Sequence, residues 1–264
     1  MRRKPTRALR AGAAVRYDSR PMTPLVEISR NLAARLDALS FPSVAYVYNP
    51  LLYAREPHEA YLERWGGSAP RELLLVGLNP GPFGMVQTGV PFGDVEMVRG
   101  FLRICGRVQP PPRMHPRRPV AGFACTRREV SGRRFWGWVR ERFGTPERFF
   151  GRAFVVNWCP LAFVEASGRN RTPDRLPASE RAPLFRACDE ALLETVRVLR
   201  PALVVGVGRF AERRADALLG GRVRVGGIPH PSPQSPQANR CWARLAEARL
   251  RALGFELPGA EGGG

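Results

Sequence analysis

Three short stretches of the chain combine an amide or imidazole side chain with nearby proline: Leu78-Asn79-Pro80-Gly81-Pro82-Phe83-Gly84-Met85, Asn157-Trp158-Cys159-Pro160 and Pro229-His230-Pro231-Ser232-Pro233. Proline fixes φ and stiffens the frame around the polar group. An asparagine held in this way can fix a water by accepting and donating hydrogen bonds, but it is too weak a base to remove a proton early in a reaction. Asn157 offers an acceptor beside donors, the complement of the N3–H and O4 edge of a pyrimidine. Of the three histidines, His58, His115 and His230, only His230 falls in a proline-rich loop at a strand end. Taken singly, each of these residues reads equally well as a turn cap or a structural group. Taken together at the ends of adjacent strands they suggest one site, because independent turn residues need not converge.

The elements around these loops alternate. Apolar Leu25, Ile28, Leu32, Leu36 and Leu39 mark a helix around 24–39, a short helix follows around 58–65, and Leu73-Leu74-Leu75-Val76 reads as a buried strand. A helix is expected at about 94–104 with Asp94 as its N-cap. Residues 105–132 look irregular and proline-rich, with one strand near 119–125, and 133–143 form a helix. Phe154-Val155-Val156 is a strand, 157–177 a loop and 179–199 a long helix. Leu203-Val204-Val205 is a strand, followed by helix 209–219, strand 222–226 and a closing helix 236–253. Continuous apolar strands alternating with helices predict a single α/β domain, a mostly parallel central β-sheet with helices on both faces. Ligands of such sheets bind outside the carboxyl ends of the strands. The three loops all fall there.

The chain has 264 residues, 44% of them apolar, which excludes disorder as its global state. It carries 42 Lys+Arg against 23 Asp+Glu, a net charge of +19 that calls for an acidic partner, nucleic acid first. Residues 1–20 hold +6 and residues 99–152 hold +11 of it. We therefore expect a basic flexible tail at 1–22, one catalytic domain at 23–257 and a flexible end at 258–264. Cys105, Cys125, Cys159, Cys188 and Cys241 have poor spacing for zinc or an iron–sulfur cluster and read as buried or free thiols. No signal peptide and no run long enough to span a membrane occurs. The Arg-rich, acid-free first seventeen residues leave a transit peptide open. Val205-Gly206-Val207-Gly208-Arg209-Phe210-Ala211 matches the G-x-G-x-x-A dinucleotide fingerprint, but it comes late in the chain and no acidic strand end follows. Tight strand–helix packing is the reading we prefer for it.

The runs Gly77 to Gly93, Val156 to Leu161, Ser167 to Pro173 and His230 to Asn239 resemble the single-strand-selective monofunctional uracil-DNA glycosylases, from about Thr23 to Leu257. The resemblance implies residue roles. Asn79 matches the water-positioning asparagine, His230 the catalytic histidine, Asn157 the pyrimidine-reading asparagine and Phe92 the aromatic that stacks on the flipped base. Gly81 and Met85 match positions on the C5 side of that base. A tyrosine at the equivalent of Gly81 blocks C5 substituents in other uracil-DNA glycosylases, so glycine should admit 5-hydroxymethyluracil as well as uracil. The loop 231–241 resembles a wedge that enters the duplex, where Ser232, Gln234, Ser235 and Arg240 would touch DNA. Gln234 stands where an arginine is usual.

The resemblance implies a glycosylase that flips out uracil or a 5-substituted uracil in single- and double-stranded DNA and leaves an abasic site. His230 would donate toward O2 and Asn79 would hold the water. Lys4, the only lysine, lies outside the match, and strand cleavage through a Schiff base needs an amine. A monofunctional enzyme without cofactor or metal is expected, acting as a monomer, cytoplasmic or at the nucleoid in a bacterium and nuclear in a eukaryote. Arg127, Arg128 and Arg133 of the basic band would bind the DNA backbone with salt-dependent affinity, unless the band is only a solvated face. Two other readings stay open: a non-catalytic single-strand DNA-binding or damage-sensing protein that retains the pyrimidine pocket, and a nucleotide-dependent oxidoreductase built on the G-x-G-x-x-A run.

Overall fold

The computed structural model describes residues 22–67, 69–234 and 238–259, so most of the expected basic tail and the last five residues lie outside it. In chain order come α1 (Pro24–Asp37), β1 (Tyr46–Tyr48), α2 (Pro50–Tyr53), α3 (Arg55–Trp65), β2 (Leu73–Gly77) and α4 (Met85–Thr88). A π-helical turn at Met97–Phe101 and a 3-10 turn at Gly122–Ala124 precede α5 (Val130–Phe143), α6 (Pro146–Phe150), β3 (Ala153–Asn157), β4 (Ala162–Val164) and β5 (Asn170–Arg171). The chain closes with α7 (Ala178–Leu199), β6 (Leu203–Val207), α8 (Arg209–Leu219), β7 (Arg224–Ile228) and α9 (Ala238–Ala252).

The apolar runs do what their composition demands. Every residue of β2 and of β6 is buried, as expected of strands covered on both faces. They lie at the centre of a four-stranded parallel sheet of order β3-β2-β6-β7. Leu74 faces Phe154 on one side and Val204 on the other. Helices flank this sheet, and aromatic side chains such as Phe135, Trp136, Phe149, Phe150 and Phe154 fill the core beside it. The sheet and its helices agree with the expected architecture.

Four local expectations need correction. The helix expected at 94–104 is shorter, 95–101, and most of it is a π-helical turn at Met97–Phe101. Asp94 still caps it, its Oδ1 accepting the Met97 N–H at 3.4 Å, but Arg103 adopts a left-handed φ of 56° that ends it. No strand forms near 119–125, because the amides of Ala121 and Gly122 donate to the buried Gln87 side chain, at 2.9 and 3.1 Å, rather than to a ladder. The segment 157–177 is not all loop. Its β4 and β5 join β1 in a small antiparallel sheet, Tyr46 facing Val164 and Phe163 facing Arg171, with strands too short to leave a period in the sequence. The helix expected at 58–65 starts earlier, as α2 and α3.

Candidate active site

Parallel strands present their carboxyl ends on one side of the sheet, and β2, β3 and β7 deliver the three proline-bearing loops there. Gly77 pairs with Asn157 across β2 and β3, which sets the amide beside the start of the Asn79 loop. A side chain on Gly77 would collide with Asn157 Oδ1 and press within 3.1 Å of the Phe92 ring. Glycine is thus what lets the amide and the ring share one pocket. Asn157 Nδ2 donates to Met85 Sδ at 3.3 Å. This leaves its second N–H and its carbonyl oxygen to face a ligand. Asn79 Nδ2 donates to Leu161 O at 3.4 Å, and among the described residues its Oδ1 has no partner. That oxygen can accept from a water.

His230 follows β7, and β6 lies between β7 and β2, so its strand end is not adjacent to the others. The gap is closed at Gly208, whose φ of 93° suits glycine and whose missing side chain leaves room for the imidazole: a Cβ there would stand 3.2 Å from His230 Cβ. The G-x-G-x-x-A run is therefore a packing device. A Cβ on Gly206 would collide with the backbone of Ala211 and Glu212, and the second glycine seats the histidine. The imidazole comes within 6.0 Å of the Phe92 ring, centroid to centroid. Its Nδ1 accepts the Ser232 N–H at 3.0 Å, which puts the proton of the neutral ring on Nε2. Burial lowers its pKa from 6.5 to about 4. At neutral pH the group is an uncharged imidazole with an Nε2–H to donate. His58 and His115 are committed elsewhere, to Gly89 O at 2.7 Å and to Ala166 O at 3.0 Å.

Phe92 has a left-handed φ of 53°, a conformation that a bulky residue holds only when its surroundings enforce it. Helix α5 does so. Phe135 stacks on the Phe92 ring at 4.7 Å with an interplanar angle of 14°. Gly132 lets the helix backbone approach Phe92 O. The same helix reaches the other loops. Arg134 donates to Pro231 O at 3.0 Å and to Asn239 Oδ1 at 3.1 Å, holding the His230 loop to the base of α9. Glu129, just before the helix, caps it and borders Gly81 and Gly84. Gln87 adds a tie, its Nε2 donating to Pro82 O at 2.9 Å and to Pro119 O at 3.0 Å.

Gly77, Gln87 and Glu129 have no role in the sequence reading, and Arg134 enters it only as one arginine of the basic band, not as a tie to the His230 loop. An acidic residue just ahead of a helix could have flagged Glu129 as a cap; for Arg134 the sequence holds no signal, since its partners lie about a hundred positions away.

The residues expected to touch DNA are more dispersed. Ser232 Oγ accepts the Gln234 N–H at 3.2 Å, and Gln234 is exposed. Ser235 and the side chain of Arg240 lie outside the described residues. Arg127 is exposed, its guanidinium 4.5 Å from the centre of the Phe83 ring in the Asn79 loop. Arg133 and Arg128 both approach Glu96, the latter at 4.0 Å. Other arginines of the band pair within the protein, Arg103 with Glu147, Arg142 with Glu247 and Arg152 with Glu72.

This arrangement can be set against known proteins. The family model of the uracil DNA glycosylase superfamily matches residues 66–249. Single-strand selective monofunctional uracil-DNA glycosylases are similar over most of the chain. The one from Rattus norvegicus is 52% identical, with 87% of this chain and 84% of the relative covered. The one from Bos taurus is 53% identical, with 80% and 79% covered. The crystal structure of SMUG2 from Pedobacter heparinus superposes with a TM-score of 0.61 at 18% identity, covering 87% of this chain and 99% of that one, a likeness of fold. The parallel sheet with its three loops, the family match and half-identity over most of the length agree, and the chain belongs to the uracil DNA glycosylase superfamily.

Proposed function

We propose that the protein is a monofunctional DNA glycosylase that releases uracil, and 5-substituted uracils such as 5-hydroxymethyluracil, from single- and double-stranded DNA and leaves an abasic site. The observation that carries this reading is the fixed tautomer of His230, with Nδ1 occupied by Ser232 N–H in a pocket that also holds Asn157 and Phe92. The relatives, named as single-strand selective monofunctional uracil-DNA glycosylases, support the reaction class.

The flipped pyrimidine lies on Phe92 with its N3–H and O4 on the Asn157 amide and its C5 side toward Gly81 and Met85. Extrusion costs a few kcal/mol when the base is paired and less in a single strand. The N1–C1′ bond breaks with its electron pair going to the base, and the charge that develops on O2 is met by the His230 Nε2–H. Such a donor is worth most in a preorganised site shielded from water. A water held by Asn79 Oδ1 adds to the cationic C1′ and loses its proton to the departing base or to solvent. No strong base is required, because bond breaking runs ahead of water attack. Arg127 and its neighbours would bind phosphates.

The test is product analysis on oligonucleotides carrying each base. Free uracil together with an intact strand at the abasic site supports the proposal. Covalent trapping by borohydride would contradict the monofunctional assignment, and binding without base release would favour a non-catalytic damage sensor.

A further inference from the structure

Asp189 is a buried carboxylate that the proposed reaction leaves unused. It stands on the apolar face of α7 beside Cys188, Ala191 and Leu192, where an ionised group persists only when it is paired. Its Oδ1 accepts the Trp158 Nε1–H and the Arg214 Nε–H, both at 2.8 Å, and its Oδ2 accepts from Arg214 Nη2. One carboxylate therefore joins the residue that follows β3 to helix α8. Rings close the same junction. Phe185 of α7 meets the Trp158 indole edge to face at 4.7 Å, and Phe210 of α8 lies 5.5 Å from it. The Arg214 guanidinium stands 4.9 Å from the centre of the Phe185 ring.

Both ends of this junction lead to the pocket. Trp158 directly follows Asn157, and its N–H donates to Gly77 O at 2.9 Å, so a turn of the backbone that released the indole would also move the amide. Helix α8 begins after Gly208, the residue that seats His230. The Gly208 N–H donates to Ile228 O at 2.8 Å, two residues before the histidine. A buried ion pair is weak evidence for stability, because well-packed apolar residues of similar volume often serve as well or better. What a carboxylate with two fixed donors adds is direction.

We propose that Asp189 is a positioning residue that sets the spacing between Asn157 and His230, the two groups that hold O4 and O2 of one rigid base ring. The inference rests on the reading above, with N3–H and O4 on the Asn157 amide and O2 toward the imidazole. The ring cannot adjust its own shape. If the end of β3 and the start of α8 drift apart, a base seated on Asn157 leaves O2 short of the His230 Nε2–H. A misplacement of about 1 Å in such a site costs about 100-fold in rate.

The experiment compares single-turnover release of uracil from a single-stranded oligonucleotide by the parent, Asp189→Asn and Arg214→Lys, each substitution also being made together with His230→Ala. Asparagine can still accept from Trp158 but turns an amide N–H toward Arg214. Lysine keeps the charge and loses the planar fork. Each variant is expected to slow release by about 10- to 100-fold, while affinity for an abasic-site oligonucleotide stays within about threefold of the parent's. Where His230 is already alanine, the same substitutions should cost less than about threefold, because a donor that is absent cannot be misplaced. A folded variant that releases uracil at the parent's rate overturns the proposal. So does an equal loss with and without His230, the behaviour of a residue that only supports the fold, and so does loss of the fold in both variants, read by circular dichroism. A parent that releases no uracil instead overturns the reading of the function itself, and this inference with it.

Discussion

In the loop after β7 the backbone N–H of Ser232 donates to Nδ1 of His230 at 3.0 Å. The proton of the neutral ring is thereby placed on Nε2. Burial holds the pKa near 4 against an ordinary 6.5, so the donor stays uncharged through the mildly acidic range. Nitrogen-15 spectra at pH 6 should show a neutral imidazole protonated at Nε2, and the pH profile of uracil release should show no inflection near 6.5 from this group. The unfolded chain binds a proton more readily than the folded one between these two values, so this histidine makes the fold lose stability as pH falls from about 6.5 toward 4. An imidazolium signal at pH 6 would contradict the assignment.

Arg134 holds the same loop through Pro231 O and Asn239. Arg134→Ala should slow single-turnover uracil release by about 10- to 100-fold through misplacement of His230, with a smaller effect on affinity for abasic DNA. Arg134→Lys, a point charge without the planar fork, should restore only part of the rate. A rate for Arg134→Ala equal to the parent's would detach this residue from the loop's function.

Gly77→Ala pushes a methyl group into Asn157 and Phe92. Overpacking of this kind costs about 1–3 kcal/mol, read as a lower denaturation midpoint, and uracil release should fall further than that loss of stability accounts for. Gly100→Ala is the control, since nothing lies within 4 Å of a Cβ there. Equal effects at the two positions would refute a special role for Gly77.

The parallel sheet is legible because β2, β3 and β6 are short apolar runs next to glycine and proline; Asn79 and His230 stand out because each adjoins proline after a strand, whereas Asn157, three residues before Pro160, is marked by its place at the end of an apolar run. What stayed hidden depends on contacts between distant parts of the chain. Gln87 takes the amides of a segment that reads as a strand, and Asp94 divides its oxygens between Met97 N–H and Glu129 N–H. The G-x-G-x-x-A run was read as packing, but that its second glycine seats His230 required the strand order. Within the basic band the charge is legible but not the partners: Arg103, Arg142 and Arg152 meet carboxylates of the same chain, contacts between distant positions that no spacing announces.

Gln234 is exposed beside Ser232, in the loop that would enter the duplex. We predict that Gln234→Arg raises activity on double-stranded relative to single-stranded substrate, since an arginine there would add a phosphate or base contact inside the duplex. The ratio of single-turnover rates on the two substrates checks this, and an unchanged ratio would refute it.

The central claim is that neutral amides and one neutral imidazole carry the chemistry. It is tested most directly by uracil release from a single-stranded oligonucleotide under single-turnover conditions, comparing the parent with Asn79→Ala and His230→Ala. The account predicts a loss of about 10²- to 10³-fold for each, as for removal of one preorganised electrostatic group. Release at the parent's rate by both variants would contradict it.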